Sequence, residues 1–169
     1  MSMARVILEY FSGEKLESIV FLIWGIGAIL VSLFLWFTGS QYKAMLYPLT
    51  ALAIIQITVG GTVYFRTDAQ VQTLSERMRS APMDFRSEEL ARMKTVSERF
   101  KLYKFIEISL LVVGIAISYL WRDNVTGNAI AIGLIIQSTM LLVADLIAEY
   151  RAYEYVVKLQ QFFPNFVQA

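Results

Sequence analysis

Any acid–base or ion chemistry in this chain rests on fourteen carboxylates, fifteen Lys or Arg side chains and the tyrosines, because there is no histidine and no cysteine. That excludes imidazole-ligated haem, histidine-containing zinc and di-iron sites, thiolate metal sites, disulfides and every Ser–His or Cys nucleophile. Two carboxylates stand in apolar surroundings. Glu107 interrupts the run from Phe105 to Trp121, and Asp145 abuts the uncharged run from Asn124 to Ala144. An ionisable group inside a membrane span costs about 2.5–3.5 kcal/mol near the centre and is a functional suspect by default. Glu149 lies one turn beyond Asp145, and Glu17 marks the same level on the first apolar helix. Arg66, Lys104 and Arg151 are the cations within reach.

Such a cluster has three readings: a lock between helices, a site for a proton or ion, and a contact for a headgroup or partner. Locking is the simplest, since every member lies within a turn or two of the interface, where long side chains reach water. A hard cation held by Glu17, Glu107, Asp145 and Glu149 alone would be chemically sound, but no spacing singles it out. No metal or cofactor is expected. Gln56 and Gln137 fall mid-span on the second and fourth apolar runs, where they either bond one helix to another or line a polar path. No phosphate-binding glycine loop, nucleophile elbow or zinc-protease helix is present, so the expectation is a non-enzymatic protein.

The elements that must position these residues are set by composition. Apolar residues make up 57% of the 169, charged residues 17%, and mean hydropathy is +0.55; soluble domains sit near 45–50% apolar and about a quarter charged. A net charge of +1 argues against nucleic acid as a partner. Uncharged runs cover 18–42, 44–65 and 124–144. With the Glu107 run, each approximates the ~20 residues a helix needs to cross ~30 Å of hydrocarbon. None alternates as barrel strands would. The first run starts too late and runs too long for a signal peptide, so it is expected to be retained.

Four spans place both termini and the central loop on one side. That side holds thirteen of the fifteen Lys and Arg residues, the hairpin tips only Lys43 and Arg122, which puts the termini in the cytoplasm. The sequence therefore predicts an all-α, integral membrane four-helix bundle, up-down-up-down, in a single domain over 1–169. The spans are expected near 18–38, 44–65, 103–121 and 126–148. Helices 2, 3 and 4 extend into the cytoplasm as a helical hairpin over 66–102 and a C-terminal helix over 149–163.

Within that hairpin Pro82 should end one helix, and Asp84 or Ser87 should cap the next, with Glu88 and Glu89 in its first turn. Pro164 should end the last helix. Asn124-Val125-Thr126 matches a glycosylation sequon, taken as a chance match beside the membrane. Small residues recur every seven positions at Ser18, Gly25, Ser32 and Gly39, and again at Ala131, Ser138, Asp145 and Ala152. Met93, Phe100, Glu107, Gly114 and Trp121 form the matching series on the third helix. These stripes would let helices approach closely. Gly60-Gly61 marks a kink or a close contact.

A faint repeat relates the two halves. Lys15 and Gly25 correspond to Lys104 and Gly114, and the text around Gln56 to that around Gln137, at offsets drifting between 81 and 89 residues. Tyr10, Phe11, Tyr64, Tyr103, Tyr150 and Tyr155 read as an inner interfacial belt, Trp36, Tyr42, Tyr47, Tyr119 and Trp121 as an outer one. Phe162 to Phe166 is an expected leaflet anchor. The expected partners are membrane lipids, further copies of the chain, or a membrane or cytoplasmic protein. The leading functional reading is assembly through the cytoplasmic stalk. The alternative is a small ion channel or a proton- or ion-coupled transporter using the inner carboxylates.

Overall fold

A computed structural model describes residues 2–163. Four long helices follow one another: α1 (Met3–Phe37), α2 (Leu46–Ser80), α3 (Pro82–Leu120) and α4 (Val125–Phe162), with a 3-10 turn at Lys43–Met45 before α2. The protein is all-α, with no strand among the described residues. α1, the Lys43–Ser80 stretch and α4 are long and apolar enough to cross a membrane, and only 22%, 33% and 33% of their most apolar windows are buried. Most of their Ile, Leu, Val and Phe side chains are therefore at least partly exposed, as lipid rather than water would favour.

The helices pair where side chains are small. A Cβ on Gly25 would stand 3.1 Å from the Ala53 carbonyl oxygen of α2, and one on Gly60 would stand 2.8 Å from the Ser18 carbonyl oxygen of α1. α1 and α2 thus run antiparallel with backbones almost touching. Gly114 does the same for α3 against Ala131 and Ile135 of α4. Gly133 of α4 lies against Met45 and Pro48 at the start of α2, so the α1–α2 and α3–α4 turns lie at one end. Gly60 marks a close contact within a continuous helix, not a kink, and nothing approaches the Cβ position of Gly61 within 4 Å.

The opposite half, here called the stalk, departs from expectation in three ways. First, α1 extends into it as well: Met3, Val6, Ile7, Tyr10 and Phe11 are all buried with Phe85, Met93, Ala152, Tyr155 and Leu159. The stalk is built from all four helices. The apolar residues of the amino-terminal arm recur at three- and four-residue spacing and bury the matching faces of α3 and α4. Second, Tyr10, Phe11 and Tyr155 are core residues and not an interfacial belt. Third, α3 starts at Pro82 itself and not at Asp84 or Ser87, with Ala81 outside the helical region (φ −145°, ψ 73°) as a one-residue break. Proline at the first helical position loses only an N–H that would be orphaned anyway, and it excludes the helical conformation from the residue before it. Asp84 falls in the first turn and Glu89 further along.

The other turns are equally local. Gly39, expected in the first stripe of small residues, instead takes φ +62°. Its N–H donates to Trp36 O and that of Ser40 to Leu35 O, the Schellman arrangement that ends a helix on glycine. Asn124 of the sequon match caps α4, its side chain accepting from Gly127 N at 3.0 Å. The expected stop at Pro164 and the anchor beyond Phe163 lie outside the described residues.

Gly60→Ala should drive α1 from α2 and cost about 1–3 kcal/mol, read as a lower midpoint in SDS-titrated unfolding. Gly61→Ala, one residue away and unobstructed, should leave the midpoint unchanged.

Candidate functional site

Three polar layers lie along the bundle. The deepest joins three helices in the apolar half. Gln137 of α4 is fully buried and accepts at Oε1 from Trp24 Nε1 of α1 (2.9 Å) and from Gln56 Nε2 of α2 (3.0 Å), while its own Nε2 donates to Leu49 O (3.3 Å). The two mid-span glutamines therefore meet directly and do not flank an opening. Oε1 of Gln56 is buried without a partner. Trp24 was not singled out by sequence, since an indole in a span reads as apolar mass.

The second layer is a girdle of ion pairs between the apolar half and the stalk. Arg151 of α4 grips Glu17 of α1 through both terminal nitrogens, with Nη2 to Oε2 at 2.7 Å. Lys104 of α3 meets Glu149 of α4 at 2.6 Å, Lys15 of α1 meets Asp68 of α2 at 2.7 Å, and Arg66 of α2 meets Glu14 of α1 at 3.2 Å. Gly13 makes room for Arg151: a Cβ there would stand 2.7 Å from its Cδ. Every cation of the sequence cluster is thus engaged, but Arg66 pairs with Glu14, away from Glu107 and Asp145. Lys15, Glu14 and Asp68 join the girdle; their positions in ordinary charged text carried no signal.

Glu107 and Asp145 remain. Glu107 lies one turn in from Lys104 on α3 and Asp145 one turn in from Glu149 on α4, so the Lys104–Glu149 contact at 2.6 Å sets the two carboxyl groups opposite each other between α3 and α4. Glu107 is 6% exposed, and its Oε2 is buried without a partner. No cation separates them. Among the described residues no set of three or more acidic side chains is placed to hold a metal, and Glu17 and Glu149 are each committed to their own cation.

The third layer lies in the stalk. Glu89 of α3 is 2% exposed and accepts from Arg92 Nε (2.8 Å) and Nη2 (2.7 Å) and from the Tyr155 hydroxyl of α4 (2.8 Å). Tyr10 of α1 stacks on Tyr155 with ring centroids 4.4 Å apart, and the Arg92 and Arg151 guanidinium groups lie 6.0 and 5.5 Å from the Tyr10 ring. Burial works against the Arg92 charge, but the paired bonds to Glu89 outweigh it and hold its pKa above the ordinary value. Burial, followed by the Glu14 charge, pushes the Tyr10 hydroxyl up to about 12. Burial and the neighbouring Glu89 also raise Tyr155, so both phenols stay protonated and Tyr155 remains a donor. Sequence placed Glu89 in a solvated first turn. The spacing Phe85–Glu89–Met93 was the available signal, since it puts Glu89 on the same face as two buried apolar side chains.

The best-formed clefts among the described residues are small. One of about 120 Å³ lies between α1 and α4 beside Glu9, Tyr10, Arg151 and Lys158; the other, about 160 Å³, lies on apolar residues between α1 and α2. Neither is lined by Glu107 or Asp145.

No protein-family model, curated protein or solved structure matches this chain.

Arg92→Met should strand the Glu89 carboxylate in the stalk core and cost about 3 kcal/mol or more. Limited trypsin digestion should then cut the stalk on the order of a hundredfold faster, because cleavage follows the open population. Tyr155→Phe removes one charge-assisted bond and should cost about 1.5–3 kcal/mol in the same assay.

Proposed function

We propose that the chain is a four-span membrane protein with both termini and the stalk in the cytoplasm, acting without catalysis by assembling through that stalk. The third crossing rests on pairing. α3 follows α4 from Glu89–Tyr155 at the stalk to a Ser118–Asn128 bond (3.3 Å) beside the far turn. If α4 crosses, its antiparallel partner crosses with it, and Glu107 is the ionisable group that this brings inside. Orientation rests on the thirteen-to-two distribution of Lys and Arg.

The observation that carries assembly is the stalk's construction. Its core includes an ion pair on α3 whose carboxylate is almost fully buried and bonded to Tyr155 of α4, and it continues the spans without a break. The far end offers only two short turns, 38–45 and 121–124. A stiff folded module on one side and almost no surface on the other favours a protein that presents the stalk, either to further copies or to a protein partner. The channel reading finds less support, because the mid-span glutamines close on each other.

Two measurements test this. The chain lacks cysteine, so single cysteines at Gln41, Ser87 and Asp123 report sidedness: an impermeant maleimide should label Gln41→Cys and Asp123→Cys from outside and Ser87→Cys only after lysis. Native mass spectrometry of protein released from nanodiscs should give a dimer or a stoichiometric protein complex. A bare monomer, or a closed ring of four or more copies that conducts, would overturn the assembly reading.

A further inference from the structure

The two hairpins solve one problem alike and another differently. At the girdle, Lys15 meets Asp68 between α1 and α2, and Lys104 meets Glu149 between α3 and α4. Glycines ten residues past each lysine, Gly25 and Gly114, then bring each pair of backbones together. Locking is therefore supplied twice, by equivalent residues. One turn inward, three residues after each lysine and four before each acid, the halves diverge. In the first hairpin the positions hold Ser18, bonded to its own helix at Lys15 O (2.6 Å), and Tyr64, whose ring lies 4.9 Å from the Lys15 ammonium. In the second they hold Glu107 and Asp145.

A lock explains nothing about that second pair. Two carboxylates set opposite each other repel when both are ionised, and the cations of the girdle are already committed. Lys104 of α3 is held by Glu149 of α4. Arg151 of α4 is held by Glu17 of α1. Arg66 of α2 is held by Glu14 of α1. Glu107 is more than nine-tenths buried, with Oε2 sealed and unpartnered. The group that satisfies two facing carboxyls with no cation between them is a single proton, covalently held by one and hydrogen-bonded to the other.

We propose that Glu107 and Asp145 form a binding site for one exchangeable proton between α3 and α4. Its release, to water at the level of Glu149 one turn outward, leaves two like charges at the helix contact between Gly114 and the Lys104–Glu149 pair, and so loosens α3 from α4 there. This rests on the proposed function only in setting the site within a membrane; it needs no oligomer and no partner.

Infrared spectroscopy of the full chain in nanodiscs, titrated in H2O and D2O, reads the site directly. The wild type should show a protonated-carboxyl C=O band that is lost in a single one-proton step as pH rises, and the Glu107→Gln/Asp145→Asn variant should lack it. Spin labels at Ile108→Cys and Ile147→Cys, both outward-facing positions, should separate by about 1–2 Å across the same step. In the double amide variant they should stay at the short distance. The wild-type titration stands alone if that variant does not fold. Absence of a titrating band would overturn the proposal, as would equal label movement in the amide variant. Restoration of the short distance by sodium or potassium at constant high pH would also overturn it, by showing a metal-cation site instead. Native mass spectrometry fails or succeeds independently of all three.

Discussion

How closely α4 can approach three other helices at once sets the rest of this molecule. In hydrocarbon there is no hydrophobic gain when one apolar helix leaves lipid for another, so association depends on dispersion contacts and interhelical polar bonds, both of which need short distances. α4 meets that need with small residues all round: Gly127, Ala129, Ala131, Gly133, Ser138, Ala144 and Ala152 are buried. Gly133 admits Pro48 of α2, Ala131 receives Gly114 of α3, and Gln137 reaches α1 and α2 together. The large side chains are displaced outward, which is why so many of them are exposed.

The polar layers differ because their surroundings differ. Mid-span, neutral amides and an indole do the joining, since an uncharged group loses far less hydration than an ion. At the girdle, four ion pairs sit half-exposed, where attraction is modest but the direction of each side chain is fixed. In the stalk, Glu89 is buried outright. Such a pair is a poor source of stability compared with apolar packing, yet removing either partner is costly. Its effect here is directional: Glu89 takes Arg92 from its own helix and Tyr155 from α4, which sets α3 against α4 and, through the stacking of Tyr10 on Tyr155, against α1.

The all-α class and the four long helices were legible because long uncharged runs and three- and four-residue apolar spacing carry that information on their own. So was the close packing at Gly25, which lies in a stripe of small residues, and at Gly60, where a close contact was one of two readings. The amino-terminal extension was not, because Arg5, Glu9, Glu14 and Lys15 make that arm look solvated while Val6, Ile7, Tyr10 and Phe11 form a short buried stripe between them. Glu89 was missed for a related reason: a charge near a helix start has an ordinary explanation in the helix dipole, and only the third dimension reveals the guanidinium folded over it. Which cation pairs with which carboxylate was likewise beyond sequence. The choice between Glu14 and Glu107 for Arg66 depends on helix rotation, and rotation is set by glycine contacts several turns away.

Continuity gives the girdle its leverage. Each of the four helices runs unbroken from stalk to far turn, and among the described residues the only positive φ lies at Gly39, outside any helix. Pro48 and Pro82 stand in first turns, where proline does not bend a helix. No joint separates the apolar half from the stalk, so a displacement at the level of Glu107 is transmitted along a continuous helix. α3 is the candidate to move. Its buried residues in the apolar half are Glu107 and Gly114, both facing α4, whereas in the stalk it carries Phe85, Glu89 and Met93 into the shared core. A helix held firmly at one end and lightly at the other pivots about the firm end, and the pivot here is the Glu89–Arg92–Tyr155 contact. A charge change between α3 and α4 would therefore reach the stalk as torque on its shared core, the surface through which the protein is proposed to act.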